Sequence, residues 1–155
     1  NSLPFLDNEL VTVAPKDHPL LKQRCVTAQE FLDNRLLMRE SGSGSRLALE
    51  VHCQTQRLDV KPSMELGSND AVKHAVIAGL GVAVLPLLSI LPELELGKLK
   101  VVNTEGFPLR RSWSVVYPQA KHPTPVMRAF IDYVQQNLKQ FDHMFMSLKA
   151  IKSAS

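Results

Sequence analysis

Twice in this chain a short apolar run enters a Ser/Gly-rich turn and emerges as an amphipathic helix. That repeated junction limits the fold more than any other feature. The first is Leu36-Leu37-Met38 leading into Arg39-Glu40-Ser41-Gly42-Ser43-Gly44-Ser45-Arg46. The second is Ser63-Met64-Glu65-Leu66 leading into Gly67-Ser68-Asn69-Asp70. A strand that enters a helix through such a turn presents unpaired backbone N–H groups and the positive end of the helix dipole. Together these suit a carboxylate or a phosphate. Two such turns in one sheet would face the same crevice at the carboxyl ends of the strands, where α/β proteins bind ligands. The residues point to a binding crevice for a small anion, without catalysis. Ser43, Ser45 and Ser68 also read as plain helix caps, and capping and binding are compatible in one turn.

The remaining segments extend the same alternation. Glu9 to Ala14 is a β-branched apolar run stopped by Pro15 and reads as a strand. Thr27, with Glu30 in capping-box spacing, opens a short helix from Ala28 to Leu32. Leu36 to Arg39 is the strand entering the first turn. The helix from about Ser45 to Arg57 places Leu47, Val51 and Gln54 on one stripe, with Ala48 and Leu49 beside it. Pro62 to Leu66 is the next strand, and the helix after Ser68 is ended by Gly79. Gly81 to Pro86 has the continuous apolar pattern of a strand buried on both faces. Leu87 to Leu91 predicts a short helix ending near Pro92, and Lys98 to Val102 a further strand. Arg110 to Tyr117 alternates, with Trp113 and Tyr117 expected as core or sheet-face aromatics. Pro123 or Pro125 opens a long amphipathic helix through Met127, Phe130, Ile131, Val134 and Leu138. Strands alternating with helices predict an α/β fold with a largely parallel sheet.

Several function classes are disfavoured. The formal net charge is +3 and no dense Lys/Arg run occurs, which argues against nucleic-acid binding by this chain. Its apolar stretches fall far short of the roughly 20 residues that cross a membrane, and no leader pattern opens it. Cys25 and Cys53 resemble neither a disulfide framework nor a metal knot, so reduced thiols in a cytoplasmic protein are expected. His18, His52, His74, His122 and His143 are scattered, and no metal site is predicted. The first turn lacks both the Lys-Ser/Thr ending of a phosphate loop and dinucleotide-site spacing. No nucleophile elbow is present, and Cys53 in mid-helix reads as a packed side chain. Neither an enzyme nor a cofactor is expected. Arg39, Arg46, Arg110 and Arg111 are candidates to neutralise an anion, although ion pairing or solvation is the commoner fate of any one arginine.

In order along the chain, Phe5 to Val11, Ala14-Pro15-Lys16-Asp17-His18-Pro19-Leu20, Arg39 to Arg46, Glu65 to Lys73 and Ala78 to Pro86 resemble the effector-binding domain of LysR-type transcriptional regulators. Met64 to Asp70 and Leu109 to Pro118 resemble the branch that controls carbon dioxide fixation and inorganic-carbon uptake, particularly its cyanobacterial members. The resemblance implies an α/β fold of two Rossmann-like subdomains in the periplasmic-binding-protein type II architecture, with the first incomplete in this chain. Residues 1–14 would be the first crossing strand of subdomain I and 15–100 the complete subdomain II. Residues 101–140 would return to subdomain I, and 141–155 would form a tail.

By the same resemblance, Glu40, Ser41, Gly42 and Ser43 line one wall of an inducer cleft, and Gly67, Ser68 and Asn69 another. The implied ligand is a small anionic metabolite of the 2-oxoglutarate, 2-phosphoglycolate or ribulose bisphosphate class. The implied partners are further copies of the chain, as a dimer or tetramer, and DNA only through an N-terminal domain that this sequence does not include. The implied compartment is the cytoplasm, with no membrane contact. Two other classes stay open: a two-lobed solute-binding protein for a small anion, and a small α/β enzyme using Ser43 or Cys53.

Overall fold

The structure, a computed structural model, describes residues 1–118 and 124–150, with side chains through Phe141. The expectations for His122 and Pro123, and for the His143 side chain, fall outside that range. The chain divides into two compact units. Unit 1 joins Asn1–Asn8 to Arg111–Ser155, and unit 2 is Glu9–Arg110.

Unit 2 is built on a sheet in the order β3 (Met64–Leu66), β2 (Leu36–Arg39), β4 (Val82–Pro86), β1 (Ser2–Pro15), β5 (Leu99–Val101). β2 pairs in parallel with both β3 and β4, whereas β1 pairs antiparallel with β4 and with β5. The sheet is therefore mixed rather than largely parallel. Four strands share one direction and β1 alone opposes them, because it enters between β4 and β5 from the other end. Buried positions of an antiparallel strand inside a sheet carry the same apolar run as parallel ones, so composition does not reveal the reversal.

Helices α1 (Ala28–Leu32), α2 (Gly44–Gln56), α3 (Asn69–Ile77) and α4 (Leu91–Glu95) complete the unit. α1 and β2 occupy the predicted residues. Pro92 lies in the first turn of α4 instead of ending a helix, a position where its missing N–H costs nothing. The core cluster gathers Ala14, Val26, Phe31, Leu36, Met38, Leu49, Cys53 and Val82, all less than 5% exposed. On α2 the inward face is Ala48, Leu49 and Cys53, while Leu47 and Val51 are exposed. The predicted stripe thus faces outward. Thr12, in the middle of apolar β1, is fully buried because its hydroxyl donates to the Val102 carbonyl at 2.8 Å and pairs with Thr104 Oγ1 at 2.9 Å.

The capping box of α1 is complete. Glu30 N donates to Thr27 Oγ1, and Thr27 N donates to Glu30 Oε2 at 2.8 Å. A five-residue helix depends heavily on such satisfied donors. Thr27→Ala is expected to lower the unfolding free energy by about 1 kcal/mol in a urea titration. An unchanged midpoint would show that α1 is held by packing alone.

In unit 1, the first residues of β1 pair with β6 (Leu109–Val116), and Asn1 and Tyr117 exchange backbone hydrogen bonds at 3.1 Å. β1 thus starts seven residues earlier than its β-branched run, in a stretch that Pro4 disguises. α5 (Pro125–Ala150) runs on into the stretch after residue 140 that the resemblance gives to a tail. It buries Val134 and packs Phe141 edge-on against Phe5 with ring centroids 5.2 Å apart. Phe130, Tyr133 and Val126 on α5 and Trp113 and Val116 on β6 are exposed, so Trp113 is not a core residue.

Candidate ligand-binding site

The parallel register pairs Arg39 with Leu66, which brings the carboxyl ends of β2 and β3 side by side. Glu40 N then donates to the Leu66 carbonyl at 3.1 Å, tying the first turn to the second. Strand order reverses around β2, with β3 on one side and β4 on the other, the arrangement that opens a crevice at the carboxyl end of a sheet. The first turn bends at Gly42, whose φ of +93° favours glycine. It enters α2 through Ser43, which has extended backbone but whose side chain does not cap the helix. The Ser43 hydroxyl instead pairs with Ser45 Oγ at 3.2 Å. The N-terminus of α2 therefore lacks a side-chain cap. The second turn enters α3 through Ser68, whose Oγ accepts from Ala71 N at 3.0 Å.

One guanidinium joins the two turns. Arg39 Nε and Nη2 donate to the two carboxylate oxygens of Glu40 at 2.7 and 2.8 Å, and Nη1 donates to Asn69 Oδ1 at 2.9 Å. Arg46 braces the base of the arrangement. Its Nη1 donates to the Arg39 carbonyl at 3.0 Å and lies 2.9 Å from Glu65 Oε2, while its Nε donates to Glu50. Lys73, only 9% exposed, bridges Asp70 and Glu93 at 3.0 and 2.9 Å and so fixes α3 against α4.

Hydrogen bonds from Arg39, then the backbone N–H of Glu40 itself, hold the Glu40 carboxyl well below its ordinary range, at about 2. A carboxyl whose pKa falls on folding stabilises the fold above its unfolded pKa and loses that contribution as pH drops through the folded value. The stability difference between wild type and Glu40→Gln is therefore expected to be constant above pH 4.5 and to shrink as pH falls toward 2. Acid titrations of unfolding midpoints measure it. Parallel curves down to pH 2 would show that the ion pair does not form.

The sequence-derived candidates occupy these two turns. Glu40 and Asn69 meet on Arg39, Ser41 and Gly42 are exposed on the first turn, and Ser43 is buried beneath it. Gly67 and Ser68 are exposed on the second, and a side-chain carbon at Gly67 would meet nothing within 4 Å. Arg39 becomes the central group, and Arg46 is committed to two carboxylates. Arg110 and Arg111 are exposed. Sequence reasoning missed the burial of Lys73, whose one local signal is the Asp70 spacing. The nucleophile candidates are poorly placed: Ser43 is bonded to Ser45, not to a base, and burial and then the nearby Glu50 charge push the Cys53 thiol up. Among the described residues no group of His, Cys, Asp or Glu is arranged to hold a metal ion, and no helix is long and apolar enough to cross a membrane.

Residues 1–139 match the LysR substrate binding domain family. The HTH-type transcriptional activator CmpR of Synechocystis sp. is 41% identical over 130 residues, covering 84% of this chain and 43% of the relative. The RuBisCO operon transcriptional regulator of Acidithiobacillus ferrooxidans is 43% identical over 130 residues, covering 84% and 42%. The chain thus spans about two-fifths of the length of the curated relatives it matches, and these are transcriptional regulators, not enzymes. The regulatory domain of Synechocystis PCC6803 CcmR, solved in complex with 2-PG, superposes with a TM-score of 0.82 at 35% identity, covering 90% of this chain and 67% of that one. The effector-binding domain of QuiR, with shikimate, shares the fold at a TM-score of 0.79 and 21% identity. The mixed sheet with its helices is the periplasmic-binding-protein type II-like fold of such domains. On the family match and these relatives, the chain belongs to the LysR substrate binding domain family.

Proposed function

We propose that this chain is the inducer-sensing part of a CmpR-like regulator of carbon assimilation. It would bind a small phosphate- or carboxylate-bearing metabolite at the turn of Glu40, Ser41, Gly42 and Ser43 and the turn of Gly67, Ser68 and Asn69. The observation that carries this reading is the joining of two strand-to-helix turns by Arg39, which places a guanidinium beside two helix N-termini. Such a place stabilises an anion through backbone N–H groups, helix dipoles and a charge-assisted fork. The 2-PG complex of the CcmR regulatory domain supports the ligand class.

Residues 15–100 would be the complete second subdomain, with 1–14 and 101–140 belonging to the first and 141–155 as tail. The discontinuity of unit 1 supports a chain that leaves the first subdomain and returns to it, although the second unit runs from Glu9 to Arg110 rather than from 15 to 100. The regulator would act in the cytoplasm as a dimer or tetramer, reaching DNA through a domain outside this sequence. The exposed apolar side chains of unit 1 are consistent with self-association. An anion that binds one arrangement of the oligomer more tightly would shift its population and thereby the spacing of the DNA-binding heads.

Calorimetric titration of 2-phosphoglycolate into the 155-residue chain tests the reading. Saturable binding, weakened about tenfold (~1.4 kcal/mol) by Ser68→Ala, is expected. No saturable binding, or binding indifferent to Ser68, would contradict it.

A further inference from the structure

Glu40 is the one acidic side chain on the first of the two turns proposed to hold the anion. It takes both hydrogen bonds of the Nε–Nη2 edge of Arg39, the edge of a guanidinium that matches a carboxylate or a phosphate. Asn69 accepts from the remaining terminal nitrogen, Nη1. The recognition edge of this arginine is therefore fully engaged before any ligand arrives. The engagement is reversible in character. Glu40 is 45% exposed, so its carboxylate can turn out to water when another anion takes the fork, whereas Arg39, 20% exposed, stays largely covered. The contact from Asn69, by contrast, comes from the first residue of α3 and would keep the guanidinium aimed between the turns when Glu40 leaves it.

Resting on the function proposed above, we propose that Glu40 is a resident counter-anion. It occupies the Arg39 fork in the free protein, and the metabolite displaces it by exchanging one carboxylate for another anion on the same two N–H donors. Two consequences distinguish this role from that of a simple ligand contact. Removing the charge of Glu40 tightens anion binding instead of weakening it. The gain is larger for the more highly charged ligand, because like-charge repulsion grows with ligand charge. Glu40 thus sets how abundant a metabolite must be to occupy the site, and does so most for the more highly charged ligand.

The test compares wild type with Glu40→Gln, which keeps an acceptor for Arg39 while removing the charge. The probes are 2-phosphoglycolate and glycolate, titrated calorimetrically into the same chain. Glu40→Gln is expected to bind 2-phosphoglycolate at least tenfold more tightly, with a smaller gain for glycolate. The gain should fall below twofold when Arg39→Gln is added. Equal or weaker binding by Glu40→Gln, or a gain that persists without Arg39, would overturn the counter-anion role while leaving the binding site standing. Failure of both proteins to bind would remove the proposed function together with this inference.

Discussion

Replacing Phe31 with alanine is expected to cost about 3–5 kcal/mol of unfolding free energy. Phe31 is fully buried on α1 and lies in the cluster with Leu36, Met38, Leu49, Cys53 and Val82. The loss combines the transfer free energy of a phenyl ring with the cavity left between α1, the sheet and α2. That cavity cannot close, because its walls come from hydrogen-bonded strands. A urea titration followed by circular dichroism measures the change. A loss under about 1 kcal/mol would mean that the core relaxes around the gap and that α1 is not anchored by this ring.

Gly81→Ala should be nearly as damaging, for a different reason. A Cβ at Gly81 would lie 2.1 Å from the Arg35 carbonyl oxygen and 3.1 Å from Leu37 Cγ. That carbonyl accepts from Val82 N at 2.9 Å, immediately before the parallel pairing of Leu36 with Val82. The added methyl group therefore meets backbone and can be accommodated only by moving β4 away from β2. A loss of about 3 kcal/mol is expected. Gly44→Ala in the first turn of α2 is the control, since a Cβ there meets nothing within 4 Å. Its expected change is under about 1 kcal/mol, in the stabilising direction that helix propensity favours. Similar effects at the two glycines would contradict the close approach of β2 and β4.

Local chemistry was readable from the sequence, and long-range geometry was not. The Thr27–Glu30 capping box fixed α1, because both partners lie within one helical turn. The two Ser/Gly turns were recognisable for the same reason: a β-branched or apolar run, small residues and a helix period are all local signals. The inward face of α2 was misread because two apolar stripes run one residue apart. Small Ala48 and Cys53, with Leu49, fit the close approach to the sheet, leaving Leu47 and Val51 outside. Of the two places open to Trp113, core or sheet face, the exposed face of β6 is the one it takes, because alternation shows that a strand has two faces, not that either is covered. The opposed direction of β1 depends on how distant segments pair, which no periodicity records.

The candidate site divides in the same way. Ser68 came from turn chemistry and Glu40 from the family resemblance, but the bond from Arg39 to Asn69 spans 30 residues and exists only because β2 and β3 pair in register. The ion pair of Lys73 with Glu93 likewise required α3 and α4 to meet. Sequence identified the residues of the two turns proposed to hold an anion. The fold supplies the guanidinium that connects them.

An amide-resolved NMR titration of the 155-residue chain with 2-phosphoglycolate tests the central claim most directly. The shifts are expected to concentrate on the backbone amides of Gly44, Ser45 and Arg46 at the start of α2 and of Asn69, Asp70 and Ala71 at the start of α3. The Arg39 Nε–H resonance should move with the same saturation curve. Saturable binding that leaves those amides unmoved, or shifts concentrated elsewhere in the chain, would contradict an anion site built on these two turns.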